Sequence, residues 1–259
     1  MKKMKKIAAL VLALSMVGLL AFPAAADDNT DDLDEVIGVI EDGVYINDYF
    51  DIAYMLPDDS YRFLSEEELE LQGGISKALL SKGSLDLSDL PETWIDMMMQ
   101  NVAGESMNAT MTVVPEEAIP VYESMPLNSI VEMSLDALKE NVGSAGMTVT
   151  DAEILTDHGF NFDDCSYLRL EIEYLGMTIY ERMIYLYEDG FQLVMCSSSL
   201  DESKAEELFN YLFILDDDTD EVEYAEEDPD DDDDDGASAS LSDLLGQLNG
   251  LLDQLKEGN

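Results

Sequence analysis

The sequence predicts an α/β protein of the α+β type, a three-layer α/β/α sandwich with a mainly antiparallel sheet over residues 36–215. The stretch Phe160–Leu215 predicts three consecutive strands and a closing helix: Ser166–Tyr174, Met177–Tyr187, Phe191–Ser197 and Glu202–Leu212. The strands carry apolar side chains at both alternating sets of positions: Leu168, Leu170, Ile172, Ile179, Met183, Ile184 and Leu186. A sheet that is buried on both faces needs a cover on both, which the predicted helices would supply.

The first 26 residues have the pattern of a signal peptide. Four lysines precede the apolar run Ile7–Phe22, and Ala24–Ala26 offers small residues before a cleavage point. The run is shorter than the ~20 residues that span a bilayer, and no cysteine follows it to accept a lipid. We expect cleavage after Ala26 and secretion of the remaining chain; an uncleaved N-terminal anchor is the alternative. The acidic residues 27–35 predict a disordered leader.

The charge balance limits the class of partner. The chain has 12 basic and 59 acidic side chains and a formal net charge of −47. Without the four lysines of the signal peptide, 8 basic side chains remain and the net charge becomes −51. Repulsion makes nucleic acid and anionic membrane surfaces unsuitable partners. Such a chain would attract cations or polycations of a cell envelope, although an acidic surface also serves solubility alone.

The first elements of the domain are predicted to be short strands. Val36–Ile40 predicts a strand or a segment packed on a sheet edge. Aromatic and β-branched residues predict strands at Val44–Ile46 and Phe50–Leu56, and Pro57 ends the second of them.

A capping box predicts the first helix. Ser65 and Glu68 have the required spacing, so a short helix should follow to about Gln72, where a glycine pair ends it. Residues 75–81 predict a further helical turn, and residues 86–92 a loop.

Two apolar runs then predict a hairpin. Trp94–Val102 and Met107–Val114 are joined by Ala103–Ser106, a four-residue connection that contains a glycine. The run Met97–Met99 is also compatible with a helix. Its methionines, like the others of the 15 in the chain, are interpreted as core residues rather than as an adaptable binding surface.

A longer helix follows the hairpin. Asn128 is predicted as its N-cap, and the helix should run from Ser129 to Asn141 with apolar residues at helical spacing: Ile130, Met133, Leu135, Leu138 and Val142. Met147–Thr156 alternates apolar and polar residues and predicts a strand.

The turns of the meander are marked by glycines, at Gly176 and at Glu188–Gly190. The register of the first hairpin is open by one residue. We favour Arg169 opposite Glu181 over Arg169 opposite Arg182, because like charges directly opposite each other destabilise a sheet.

The closing helix should be capped by Asp201, with an apolar inner face: Ala205, Leu208, Phe209 and Leu212. The two cysteines of this region, Cys165 and Cys196, should not bond to each other, because sequential strand pairing places a strand between them. Two strand spacings are ~9.5 Å, and a disulfide needs Cα atoms within ~7 Å. Both are interpreted as buried apolar residues; a different strand order would reverse this.

The end of the chain has a different composition. Residues 216–239 predict a disordered acidic linker, since 15 of the 20 residues Asp216–Asp235 are Asp or Glu. Residues 240–257 predict an amphipathic helix with a leucine stripe: Leu241, Leu244, Leu245, Leu248, Leu251, Leu252 and Leu255. The stripe could fold back on the domain or pair with another chain, including self-association through residues 241–255.

The run Asp231–Gly236 matches the first half of a calcium loop. Position twelve of that loop should be Glu and is Ser242, so we expect weak, diffuse Ca²⁺ association at most, and a solvated spacer otherwise.

One segment resembles a known family. Tyr45–Ile52 followed by Met55–Pro57 resembles the opening of secreted bacterial members of the PsbP-like/Mog1-like superfamily. The resemblance extends to the late meander and covers roughly Tyr45 to Leu215. The chain departs from the pattern at Asp51, where Gly is usual, and has Tyr61 near the expected Trp. The resemblance implies a binding or scaffold fold and no catalytic residues.

The residues offer little for catalysis. His158 is the one histidine, lies between Asp157 and Gly159, and is interpreted as a loop residue, because a zinc site needs several nitrogen or sulfur ligands. No catalytic, cofactor-binding or metal-ligating residue is predicted, and no cofactor. We expect a non-catalytic secreted bacterial binding or scaffold module with an unknown protein or cell-envelope partner. The alternative is a hydrolase that uses paired carboxylates in a sheet-edge cleft.

Overall fold

In this computed structural model, residues 36–72, 74, 93–155 and 165–215 are described. Several predictions lie outside these residues: the signal peptide, the acidic leader, the helical turn at 75–81, the loop at 86–92, His158, the acidic linker and the C-terminal helix. By contacts the chain divides into residues 1–215 and 216–259, and only the first unit contains described residues.

A seven-stranded sheet forms the centre of the described part. Its strand order is β4-β5-β6-β10-β9-β8-β7, and every neighbouring pair is antiparallel. The strands are β4 (Tyr61–Phe63), β5 (Thr93–Asn101), β6 (Ser106–Val113), β7 (Thr148–Leu155), β8 (Cys165–Tyr174), β9 (Met177–Glu188) and β10 (Phe191–Ser199). The predicted hairpin, the strand after the long helix and the meander are all confirmed.

A second, four-stranded antiparallel sheet joins the two ends of the domain. Its order is β1-β2-β3-β11, with β1 (Val39–Glu41), β2 (Val44–Asn47), β3 (Ile52–Met55) and β11 (Leu212–Ile214). The strands β2 and β3 agree with the sequence prediction. The closing helix was predicted to run to Leu212, but Leu212 is the first residue of β11, which is extended because it pairs with β3.

Within the described ranges the helices are α1 (Glu66–Glu70), α2 (Ile119–Ser124), α3 (Leu127–Ser144) and α4 (Glu202–Glu207), the last continuing as a 3₁₀ turn at Leu208–Tyr211. The capping box is present on α1, where Ser65 accepts from the Glu68 amide and Glu68 bonds back to the Ser65 amide. Asp201 caps α4, as predicted.

The long helix differs at both ends from the prediction. Its N-cap is Pro126, without a side-chain hydrogen bond, so Asn128 is not the cap. The helix passes through Gly143 and ends at Ser144. Residue Met133, predicted on the apolar face, is 58% exposed. Helix α2 was not predicted; Pro120 lies in its first turn, where the missing amide proton is not needed.

The large sheet is covered on both faces, by α1 and α3 on one face and by the small sheet together with α4 on the other. The helical face, which includes Leu170, Met183 and Cys196, packs against α3; Leu69 of α1 reaches the same face at β5. The opposite face, called here the sandwich face, packs against the small sheet and the residues after α4. The small sheet and the short α4 therefore share the layer that the predicted α/β/α sandwich assigned to helices alone.

The register of the first meander hairpin is not the one favoured from the sequence. Arg169 lies opposite Arg182, and Glu181 lies opposite Leu170. The two-residue turn Leu175-Gly176 fixes this register, with φ of 50° and 77°, the left-handed values of a type I′ turn. The like charges coexist because carboxylates surround them, as described below.

The strand order on which the cysteine prediction depended is confirmed. Strand β9 lies between β8 and β10, with Cys165 opposite Leu186 and Cys196 opposite Met183. The two cysteines are not bonded to each other. Cys196 is buried as predicted, whereas Cys165 is only partly buried.

The residue Leu175 gives a test of the turn. Its left-handed backbone is unfavourable for a branched side chain and suits Asn, so Leu175→Asn should raise the free energy of unfolding by about 0.5–1 kcal/mol. Urea denaturation measures this. Asp189→Asn is the matched control. Asp189 occupies the equivalent turn position with φ of 40°, and Asp already tolerates the left-handed conformation. Equal changes in the free energy of unfolding for the two substitutions would contradict the assignment of an unfavourable left-handed conformation to Leu175.

Candidate functional site: a buried polar patch on the helical face

Strand β6 places polar side chains inside the protein. Its sandwich-face residues are apolar (Met107, Ala109, Met111), and its helical-face residues are all polar: Ser106, Asn108, Thr110 and Thr112. An amphipathic strand ordinarily turns its polar side to water. Here each of the four is at most 9% exposed. The polar side of β6 is therefore an interior surface.

The strands next to β6 continue this surface. Ser106 lies opposite Ser198 of β10, and Ser198 lies opposite Glu181 of β9. The Ser198 hydroxyl donates to Glu181 Oε1 at 3.1 Å, and the Thr110 hydroxyl donates to Asn108 Oδ1 at 3.0 Å. We call Ser106, Asn108, Ser198 and Glu181 the polar patch.

Three atoms of the polar patch have no hydrogen-bond partner in the described part of the chain: Ser106 Oγ, Asn108 Nδ2 and Glu181 Oε2. All three side chains are 2% exposed or less. Leaving a buried donor or acceptor unpaired costs about 1–3 kcal/mol each. Two of the three atoms belong to β6 and the third to β9, with β10 between them, and Ser166 Oγ is a further unpaired atom on the helical face.

Burial also changes the chemistry of the carboxyl group. Desolvation raises the pKa of Glu181 to about 8, and the hydrogen bond from Ser198 acts in the opposite direction. At neutral pH the carboxyl group therefore keeps its proton and can both donate and accept a hydrogen bond. The neighbouring thiol of Cys196 has its pKa raised by burial, which leaves it protonated and a poor nucleophile.

The sandwich face carries charges that are paired. Arg182 is completely buried and donates from Nη2 to Glu202 at 3.0 Å and from Nε to Glu206 at 3.4 Å. Arg169 contacts Glu153 at 2.6 Å and lies within 4.0 Å of Glu202. Two carboxylates of α4 and two of β7, Asp151 and Glu153, thus hold the two arginines side by side and fix α4 on the sheet.

A second buried carboxyl joins the two sheets. Asp96 lies at a bulge in β5, and its Oδ2 accepts from the Tyr45 hydroxyl at 2.6 Å and the Gly38 amide at 2.9 Å. Burial raises the pKa of Asp96, and these hydrogen bonds oppose the rise. The same burial, with Asp96 beside it, raises the pKa of Tyr45.

The sequence interpretation did not identify the polar patch. Glu181 was considered only as a partner for Arg169, although it occupies an apolar position of β9 between Ile179 and Met183. That interruption was the available signal. The burial of Ser106 and Asn108 could not be predicted from the sequence. Alternating apolar and polar residues identify a strand but do not show whether its polar face is covered.

Among the described residues, no group of three or more His, Cys, Asp or Glu side chains could hold a metal ion. No helix in the described ranges is long and apolar enough to span a membrane.

The comparisons with known proteins find no related sequence and include a distant structural likeness. No family model matches the chain, and no curated protein matches it. The structure is similar to the solution structure of cyanobacterial PsbP (CyanoP) from Synechocystis sp. PCC 6803, with a TM-score of 0.39 and 10% sequence identity. The match covers 74% of this chain and 99% of that chain. A likeness at this distance concerns a PsbP-like fold at most.

Glu181 should make stability depend on pH. Its carboxyl group binds a proton more tightly in the folded chain (pKa about 8) than in the unfolded chain (4.5). Unfolding therefore releases a proton between these values, and the stability contributed is present below pH ~4.5 and lost as pH rises towards 8. Relative to Glu181→Gln, the wild type should lose on the order of a few kcal/mol between pH 5 and 9.

Urea denaturation of both proteins at pH 5, 7 and 9 measures this difference, because all other titrating groups are shared. A difference that stays constant with pH would show that Glu181 ionises normally.

The buried arginine gives a third test. Arg182→Ala removes the side chain that fixes α4, so the free energy of unfolding should fall by about 3 kcal/mol. The matched control is Arg62→Ala, because Arg62 pairs with Glu68 on the surface and such pairs contribute little. Similar losses in both variants would refute the role assigned to Arg182.

Proposed function

We propose that the chain is an exported, non-catalytic bacterial binding protein whose domain at 36–215 is a scaffold. The observation that supports binding is the polar patch, which presents unpaired hydrogen-bonding atoms and no activated nucleophile. The Cys196 thiol has a raised pKa and is buried.

The placement of buried carboxyl groups favours this proposal over a hydrolase. Hydrolysis by paired carboxylates needs two of them within one cleft. In the described ranges the fully buried carboxyl groups are Asp96 and Glu181. Asp96 bonds to the small sheet on the sandwich face, whereas Glu181 lies on the helical face beside Ser198.

We also propose membership of the PsbP-like/Mog1-like superfamily. The segment that carries the resemblance forms β2, a turn and β3. Its Asn47 is buried, donates to the Val36 carbonyl at 2.9 Å and accepts from the Phe50 amide at 3.0 Å. The motif residue Asn47 thus stabilises the backbone around it. This is the role of a residue that maintains a fold rather than of a catalytic residue.

The proposal includes export and an interaction element. Residues 1–26 would be removed as a signal peptide, and the leucine stripe at 241–255 would serve self-association or an envelope partner at the end of the acidic linker. Both rest on the sequence pattern alone.

A turnover assay tests the non-catalytic assignment. The chain from Asp27 onward is incubated with chromogenic glycosides, esters and phosphate esters between pH 5 and 9, beside Glu181→Gln and Asp96→Asn. We expect no turnover that either substitution lowers. Turnover that falls on the order of 100-fold in one variant would establish the hydrolase instead.

Sedimentation of the same chain, with and without residues 236–259, tests the interaction element. The intact chain should sediment as a larger species than the shortened one beyond the difference in mass. Identical association states would remove self-association from the proposal.

A further inference from the structure

The seven-stranded sheet has one long edge strand. In the described ranges, the edge strands β1, β4 and β11 are three residues long each, whereas the edge strand β7 is eight residues long. Very short edge strands are a common protection against pairing with another chain. The chain thus keeps three edges short and leaves one that is long enough to accept a further strand.

Strand β7 is accessible along its whole length. None of its eight residues is buried, and Thr148, Thr150, Asp151 and Glu153 are exposed. One side of β7 pairs with β8, and no described strand lies on its other side. In an edge strand the amide and carbonyl groups of alternate residues point away from the sheet. The ladder is irregular at Thr150, so the regular part of this edge is Asp151–Leu155.

The two faces of this edge differ in chemistry. Asp151 and Glu153 lie on the sandwich face, in register with the β8 residues of that face. Ala152 and Ile154 lie on the helical face, where they pack against its apolar cluster and stay partly exposed. Successive side chains of a strand point to opposite faces, so a strand added beside β7 would alternate in the same way. One set of its side chains would meet carboxylates, and the other set would meet apolar groups.

The carboxylates of this edge have capacity for a further cation. Arg169 lies 2.6 Å from Glu153 and 3.6 Å from Asp151, yet these two acidic side chains remain 50% and 52% exposed. Glu171 and Glu173 of β8 lie on the same face. Strands β7 and β8 therefore contribute four carboxylates and one guanidinium to this face, a formal charge of −3.

This charge disfavours a second copy of β7 and favours a basic strand. Two β7 strands side by side would set the carboxylates of one copy against those of the other, and like charges across a strand pair destabilise it. Lysine or arginine at the same positions would meet opposite charges instead. We propose that the outer edge of β7 binds an extended segment of another protein, with alternating basic and apolar side chains, as an added strand of the sheet. This inference rests on the proposed binding function and names the chemistry of the partner.

Calorimetric titration of the full chain with synthetic peptides tests the inference. The first probe is a heptapeptide that alternates lysine and valine. The matched control has the same composition with its lysines and valines in separate blocks, because general attraction to an acidic chain acts on both peptides alike. The alternating peptide should bind saturably and at least tenfold more tightly than the block peptide. A peptide that alternates glutamate and valine should not bind.

Methylation of the peptide backbone distinguishes strand pairing from charge attraction. In an added strand only the amides of alternate residues face β7, so methyl groups on all lysine amides and on all valine amides should not be equivalent. One of the two methylated peptides should lose affinity at least tenfold, and the other should stay within threefold of the parent peptide. Bound parent peptide should also slow the hydrogen exchange of amides within Asp151–Leu155.

A charge exchange locates the site on the protein. Asp151→Lys should weaken binding of the lysine–valine peptide at least tenfold and allow the glutamate–valine peptide to bind. Glu70→Lys makes the same change of charge on α1, whose Leu69 packs at β5 near the other edge of the sheet, and should leave both affinities unchanged. The methylated peptides are titrated into the wild type, so that test does not depend on how either variant folds.

Three results would overturn the inference: equal affinity of the alternating and block peptides, equal affinity of the two methylated peptides, or no saturable binding of the alternating peptide. Each would remove the β7 edge as the binding surface and leave the proposed binding function to the turnover assay. Turnover that Glu181→Gln or Asp96→Asn lowers would refute the proposed function instead, and it would not change the affinity of β7 for the peptides.

Discussion

Burial of the seven-stranded sheet on both faces is the constraint from which the other features follow. No strand of its centre has a side in water, so every polar side chain there needs a partner or carries a desolvation cost. The buried polar side chains of the two faces are paired in different ways. The sandwich face uses full charges in an ion-pair cluster around Arg182, whereas the helical face uses neutral groups.

Basic residues are scarce in this chain, so the places where they are buried show which contacts depend on charge. Of the basic side chains in the described ranges, Arg169 and Arg182 are the least exposed, and both serve to attach α4. In a chain of net charge −47, a buried cation attracts carboxylates from several elements. It therefore holds a helix that is only six residues long and could not persist by its own propensity.

The features predicted from the sequence are those that local chemistry decides. The capping box at Ser65 and the glycine turns of the meander depend on residues within four positions of one another, and the structure has them as expected. The register at Arg169 was missed because pair preferences across strands contribute less than the geometry of the turn at Leu175. The helix start was missed because Pro126, not Asn128, sets the backbone at that point.

The remaining differences concern contacts between distant residues. The predicted closing helix includes Leu212, which instead begins β11 and pairs with Tyr54 of β3, a residue far earlier in the chain. The polar patch likewise cannot be predicted from any short segment of the sequence. Ser106 and Ser198 are ordinary surface residues by composition, and only the assembled sheet shows that they are enclosed beside Glu181.

The pairing of β11 with β3 has a consequence for how the chain folds. The small sheet gains its fourth strand only when residue 214 reaches residue 52, and the Tyr54 hydroxyl bonds to the Leu208 carbonyl across a separation of 154 positions. Contacts this far apart in sequence slow folding. A chain that lacks β11 leaves the edge of β3 open, so the small sheet is complete only after residue 214 has been synthesised.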